Sequence, residues 1–317
     1  MQPPEPYAQT PIPDLLAQAM QAHRVGQVPE AREAYMAVLK REPQNADCLH
    51  MLGALEGQFG SDEAAVQLIG KAIEINAQEP MFHNNLGNVY LNLRRPEEAE
   101  AAYRSALALD PARYDAINNL AVLVGRRGDR DGAEKLFKDL LAVAPGFTDA
   151  RENLASLYLR NGRLNDALTQ CAIGLVTNPR AKGLRRLLGL AYSTWDMPEQ
   201  AAEVYRTWIA DDPDDPQPRH YLAAFTGVDV PARASDEFVR ATFDGFADSF
   251  DTTLAELEYR APSFMGEALA EALGTPAKQW RVADAGCGTG LCAEHVGPWA
   301  RTLSGVDLSI PMLKLAA

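Results

Sequence analysis

The sequence lacks what would tie it to a membrane, a nucleic acid or an oxidising compartment. Its apolar runs fall far short of the roughly 20 residues a membrane helix needs. Residues Met1 to Asp14 have neither a basic start nor an apolar core, so no secretory signal is expected, and residues 1–11 read as a proline-rich, flexible lead-in. Lys and Arg number 30 against 43 acids, a formal net charge of −13. No basic patch stands out, and phosphate backbones need one, so nucleic acid is not an expected partner. The four cysteines, Cys48, Cys171, Cys287 and Cys292, form no C-x-x-C pair and no Cys/His cluster. A metal site is therefore not expected, and free thiols point to a reducing, cytoplasmic location. What remains is a chain of 317 residues, 47% apolar, able to bury a sizeable core in two or three domains.

Residues 12–213 repeat with a period of 34 and no insertion. One column holds Ala31, Ala65, Ala99, Ala133, Ala167 and Ala201, and twelve positions earlier stand Ala19, Gly53, Gly87, Ala121, Ala155 and Gly189. These small residues let two helices approach closely, while Tyr35, Ile69, Tyr103, Phe137, Cys171 and Tyr205 supply larger knobs. A last column, Pro43, Ala77, Pro111, Pro145, Pro179 and Pro213, stops the second helix because proline has no amide to donate. Gly26, Gly60, Gly128 and Gly162 mark the turn inside a unit. The pattern resembles the tetratricopeptide repeat family over about two thirds of the chain. That resemblance implies six helix pairs stacked into a right-handed solenoid with a concave face, closed by a capping helix over Arg219–Thr226 and a linker within residues 214–234.

A further column holds Met51, Asn85, Asn119, Asn153 and Leu187. A primary amide both donates and accepts, so asparagines 34 apart on the groove side could grip an extended peptide backbone. The arrangement resembles the asparagine ladder of the O-linked N-acetylglucosamine transferases. Asparagine is also common at this position in such repeats, which leaves a structural role open. Arg94-Arg95 and Arg126-Arg127 fall in turns and read as solvated surface.

Residues 235–317 change character. Ser235-Asp236-Glu237 starts a helix whose Phe243, Phe246 and Phe250 recur on one face, and a second helix spans Ala261 to Leu273. The apolar run Val282–Ala285 reads as a buried parallel strand, followed by the loop Gly286-Cys287-Gly288-Thr289-Gly290 and a helix from Leu291. A second strand, Leu303–Val306, ends in Asp307, 21 positions after Gly286. This is the nucleoside-holding half of a Rossmann-type unit. The spacing is G-x-G-x-G with Asp284 before it, where a pyrophosphate site wants G-x-G-x-x-G.

The loop, with Asp307-Leu-Ser-Ile-Pro-Met-Leu after it, resembles the first two motifs of the class I S-adenosylmethionine-dependent methyltransferases. The resemblance implies S-adenosylmethionine as cofactor. Gly286, Gly288 and Gly290, with Cys287 and Thr289, would wrap its methionine part, and Asp284 would lie near its amino group. Asp307 would take the ribose hydroxyls, with Leu308 and Met312 against the adenine. A lid helix would bring Phe246 and Arg260 near the ligand. Such a domain normally has several more strands, which carry the acceptor site, so the catalytic base is unknown and this part is expected to be the start of a methyltransferase. The fold expected is mainly α, a six-repeat solenoid followed by an incomplete Rossmann-like α/β domain. The function expected is methyl transfer, with the repeats recruiting a peptide or protein through Asn85, Asn119 and Asn153. The alternative is a non-catalytic adaptor.

Overall fold

The computed structural model describes residue 7, residues 10–230 and residues 232–316. The lead-in expected over residues 1–11 lies for the most part outside them. The chain divides into two compact units, Met1–Ala201 and Ala202–Ala317.

The 34-residue period becomes paired helices of 13 or 14 residues. They are α1 (Ile12–Arg24) and α2 (Val28–Arg41), α3 (Ala46–Phe59) and α4 (Asp62–Ile75), α5 (Pro80–Asn92) and α6 (Pro96–Leu109). There follow α7 (Tyr114–Arg126) and α8 (Arg130–Val143), α9 (Thr148–Arg160) and α10 (Leu164–Thr177), then α11 (Lys182–Thr194) and α12 (Pro198–Asp211). The small columns do what their size implies. A Cβ added at Gly87 would lie 2.5 Å from the Tyr103 ring, and one at Gly53 2.6 Å from Ile69 Cγ1. The knobs Tyr35, Ile69, Tyr103 and Cys171 are fully buried. Burial pushes the Cys48 and Cys171 thiols up to about 12, so neither forms a thiolate at neutral pH.

The proline column has a partner that its spacing alone does not announce. Arg151 donates to the Pro145 carbonyl at 2.6 Å and Arg185 to that of Pro179 at 2.8 Å, each reaching six positions back to the end of the preceding helix. His83 makes the equivalent bond to Ala77 at 3.0 Å. Carbonyls at helix ends have no partner within the helix, and these side chains supply one.

The second unit contains α13 (Gln217–Thr226), which ends at Gly227 in the left-handed region, then α14 (Asp236–Glu256), capped by the Ser235 hydroxyl accepting from Phe238 N at 3.2 Å. α15 (Ala261–Leu273) leads to a parallel sheet of β1 (Trp280–Ala285) and β2 (Ala300–Val306). The helix expected after the glycine loop is a single turn, α16 (Ala293–Val296), because Gly297 and Pro298 end it at once. The last helix is α17 (Ile310–Ala316). The expected buried strand is not found. Both strands are largely exposed, and Val306 is 61% accessible. Among the described residues the sheet has two strands, so a complete Rossmann arrangement is not on view. No helix among the described residues is long and apolar enough to cross a membrane.

Candidate functional sites

The glycine loop is built from left-handed glycines and two anchors. Gly286, Gly288 and Gly290 have φ of 81°, 55° and 81°, a region that side chains disfavour. The amides of Gly286 and Cys287 both donate to the Val306 carbonyl, at 2.7 and 3.1 Å, which ties the loop to the end of β2. Asp307 holds the other side: Oδ2 accepts from Gly288 N at 2.9 Å and Oδ1 from Ser309 N at 2.8 Å. Each oxygen keeps a second lone pair for a ligand hydroxyl. Gly305 permits the approach of loop and strand, since a Cβ there would lie 2.7 Å from Cys287 Sγ.

A cavity of about 560 Å³ opens beside the loop, lined by Val239, Phe243, Phe250, Gly286, Gly288, Val306, Asp307 and Leu308. Of the aromatic stripe on α14, Phe243 and Phe250 line it, whereas Phe246 packs edge-on against Phe250 at 5.4 Å between ring centres. The Thr289 hydroxyl, buried, donates to Asp251 Oδ1 and joins α14 to the loop. Asp284, Cys287 and Gly290 line a second cavity of about 280 Å³. Burial, then Asp284 and Asp307, raises the Cys287 thiol. Met312 is fully buried and its amide donates to Ser309 Oγ at 3.3 Å. Arg260 is exposed over the Phe264 ring, 4.8 Å from its centre. The structure thus brings Gly286, Gly288, Asp307 and Leu308 together, and sets Arg260, Met312 and Asp284 outside that cavity's lining. Neither Val239 nor Asp251 was expected among the site residues, and Phe243 and Phe250 were visible in the sequence as members, with Phe246, of the apolar stripe on α14.

In the first unit the asparagine column is engaged from repeat to repeat. Asn85 Nδ2 meets His50 Nε2 at 2.8 Å, Asn119 Nδ2 donates to Asn84 Oδ1 at 3.1 Å, and Asn153 Nδ2 donates to Asn118 Oδ1 at 3.0 Å. Every step spans 35 positions, linking α3 to α5, α5 to α7 and α7 to α9. Asn119 Nδ2 also donates to Asn88 Oδ1 at 3.0 Å, which accepts from the Tyr103 hydroxyl at 2.7 Å. The column's first member, Met51, opens with Gln58, Met20 and Arg24 onto a cavity of about 570 Å³. The pair Arg126-Arg127 is more than solvated surface, because Arg127 bridges Glu97 at 2.8 Å and Glu100.

Residues 16–80, 80–112 and 126–188 match the tetratricopeptide repeat family. Protein O-mannosyl-transferase F38B6.6 of Caenorhabditis elegans is 38% identical over 80 residues, 25% of this chain and 12% of that protein. Methyltransferase-like protein 27 of Homo sapiens is 39% identical over 75 residues, 23% of this chain and 31% of that protein. The chain thus spans well under two thirds of either relative. Among solved structures, the type IV pilus biogenesis factor PilW superposes with a TM-score of 0.58 at 22% identity, covering 68% of this chain and 99% of that one. At that identity the likeness is one of fold.

Proposed function

This chain carries tetratricopeptide repeats, and from that premise we propose that it brings a protein partner to a domain that binds S-adenosylmethionine and directs methyl transfer. One observation carries the cofactor reading: three glycines at positive φ lie against a doubly anchored Asp307 at the mouth of an apolar cavity of about 560 Å³. The donor set fits. Asp307 would accept from ribose hydroxyls with its remaining lone pairs, the Gly286–Gly290 backbone would admit a bulky chain without side-chain clash, and Phe243, Phe250 and Leu308 would cover an adenine and exclude water. When bound, S-adenosylmethionine supplies a methyl group already activated on a sulfonium, so the protein's part is binding, alignment and dryness. The resemblance of the Asp284–Gly290 and Asp307–Leu313 motifs, and the likeness to a methyltransferase-like protein, support the same reading.

Calorimetric titration of the 317-residue chain with S-adenosylmethionine tests it. Saturable binding is expected, and Asp307→Ala should cost on the order of 1.5–3 kcal/mol of affinity, the usual size for hydrogen bonds to a charged acceptor. Equal affinity in the variant would remove Asp307 from the site. The exposed two-strand sheet favours a second reading, a non-catalytic adaptor, and absence of any titration heat or thermal shift would favour that one.

Docking of the partner falls to the repeats. With Asn119 Nδ2 committed to Asn84 and Asn88, this residue offers a ligand its carbonyl oxygen. Replacing Asn85, Asn119 and Asn153 together by alanine should weaken peptide docking and leave the cofactor heat unchanged.

A further inference from the structure

The column that carries asparagine on α5, α7 and α9 begins with Ala17 on α1 and Met51 on α3, where no amide stands. Both line the first unit's cavity of about 570 Å³, so this face turns from amide to apolar over the first two repeats. Tyr35, on α2, lines the same cavity, is 0% exposed, and its hydroxyl has no hydrogen-bond partner among the described residues. Two repeats further on, the equivalent Tyr103 hydroxyl donates to Asn88 at 2.7 Å. Met20 stands in the place of Asn88 and lines the cavity, and a thioether is a poor acceptor. A buried hydroxyl left unpaired has lost its hydration for nothing, so an acceptor brought by a ligand gains more here than at a surface. Met20 is 48% exposed, and its unbranched side chain has the rotamer freedom to give way to a group that reaches the hydroxyl. The polar groups around the cavity are already tied to one another: His23 Nε2 meets Gln58 Oε1 at 3.1 Å, and Arg24 donates to Gln21. No acid is among the described residues that line it.

We propose that this cavity takes a tyrosine side chain of the peptide that the asparagine column holds. The ring lies against Met20 and Met51, and its phenolic oxygen accepts from the Tyr35 hydroxyl. The assignment rests on the docking reading above and adds a side-chain preference, which amides gripping a main chain do not supply. Thioethers make favourable contacts with aromatic rings, and the volume is of the size that ring-bearing ligands occupy. A buried donor then selects the ring that carries an oxygen at its far end. An aliphatic side chain or a phenylalanine would leave the hydroxyl unpaired, and a carboxylate would have to shed its water for a single neutral donor.

Fluorescence anisotropy of the 317-residue chain with three labelled, end-blocked peptides decides it. Each is a Gly-Ser nonamer with tyrosine, phenylalanine or alanine at its centre. The tyrosine peptide should bind about fivefold more tightly than the phenylalanine peptide, and the alanine peptide more than tenfold more weakly than either. Tyr35→Phe, which deletes only the unpaired hydroxyl, should make the tyrosine and phenylalanine peptides equal and leave the affinity for phenylalanine unchanged. Met20→Asn, which offers the hydroxyl the acceptor that Asn88 offers Tyr103, should remove the preference as well, with circular dichroism showing both variants folded. A tyrosine preference that survives Tyr35→Phe overturns the assignment, as does equal binding of tyrosine and phenylalanine by the unaltered chain. If the alanine peptide binds as tightly as the other two and the Asn85→Ala/Asn119→Ala/Asn153→Ala variant loses all three, the cavity assignment falls and peptide docking stands. If none of the three peptides binds, both fall.

Discussion

Position 50 is where the column of Asn84 and Asn118 carries a histidine instead. The ring is 1% exposed, stacks on Phe82 at 4.6 Å between centres, and meets Asn85 through Nε2. With Asn85 donating, the ring proton sits on Nδ1, which is buried without a partner among the described residues. Burial lowers the pKa from 6.5 to about 4, against the weaker pull of Asp47 and Glu79. The folded state therefore resists a proton that the unfolded state accepts. Stability is fully present above pH 6.5 and is lost as pH falls toward 4, by about 3 kcal/mol. His50→Asn, which restores the residue of the neighbouring repeats, should flatten that part of the profile in urea unfolding at several pH values. A parallel decline in both proteins would place the titration elsewhere. A second departure explains another orphan: the Tyr35 hydroxyl has no partner, because Met20 stands 68 positions before Asn88, the residue that receives Tyr103. Neither orphan was legible from the columns, since both depend on an acceptor offset from the repeat's own phase.

Among the elements, the turn inside each helix pair sets the sharpest local demand. The column Gly26, Arg94, Gly128, Gly162 and Asp196 has φ of 76°, 55°, 91°, 70° and 56°. Glycine fills four of the six turn positions in the sequence; of these Gly60 alone keeps a negative φ, −129°, and the structure shows that Arg94 and Asp196 adopt the left-handed bend of the other three. For a side chain with a Cβ this costs about 1 kcal/mol. Arg94→Gly should therefore raise the unfolding free energy of the first unit by about 0.5–1 kcal/mol, read as a shift in urea midpoint. A lower midpoint would mean that the arginine's own contacts outweigh the strain. The glycine loop of the second unit was equally readable, because glycines, acid and spacing are local signals. The lining supplied by α14 was not. Phe243 and Phe250 share a stripe with Phe246, and only packing decides which rings face the cavity. The buried character assigned to β1 failed for a related reason: an apolar run states what a strand could pack against, and burial depends on what stands beside it.

For the molecule, the repeat array was the most legible part, because the same small, large and proline positions recur in phase. What the period conceals is that the asparagine bonds step by 35 positions, tying each inner helix to the one before it. In a quasi-one-dimensional array such nearest-neighbour terms set how many repeats unfold together. Asn119→Leu, the residue type that ends the column at Leu187, should broaden the urea transition of the first unit and lower its m-value as flanking repeats separate. An equally steep transition would assign the coupling to apolar packing alone. The one-residue offset has a consequence for how such a chain can change length. Each residue added within a helix rotates everything beyond it by about 100°, which carries an asparagine away from its acceptor on the neighbouring helix. Growth or loss is therefore quantised: a whole unit can be duplicated or deleted with every amide finding a new neighbour, whereas a single inserted codon in α5, α7 or α9 unzips the seam.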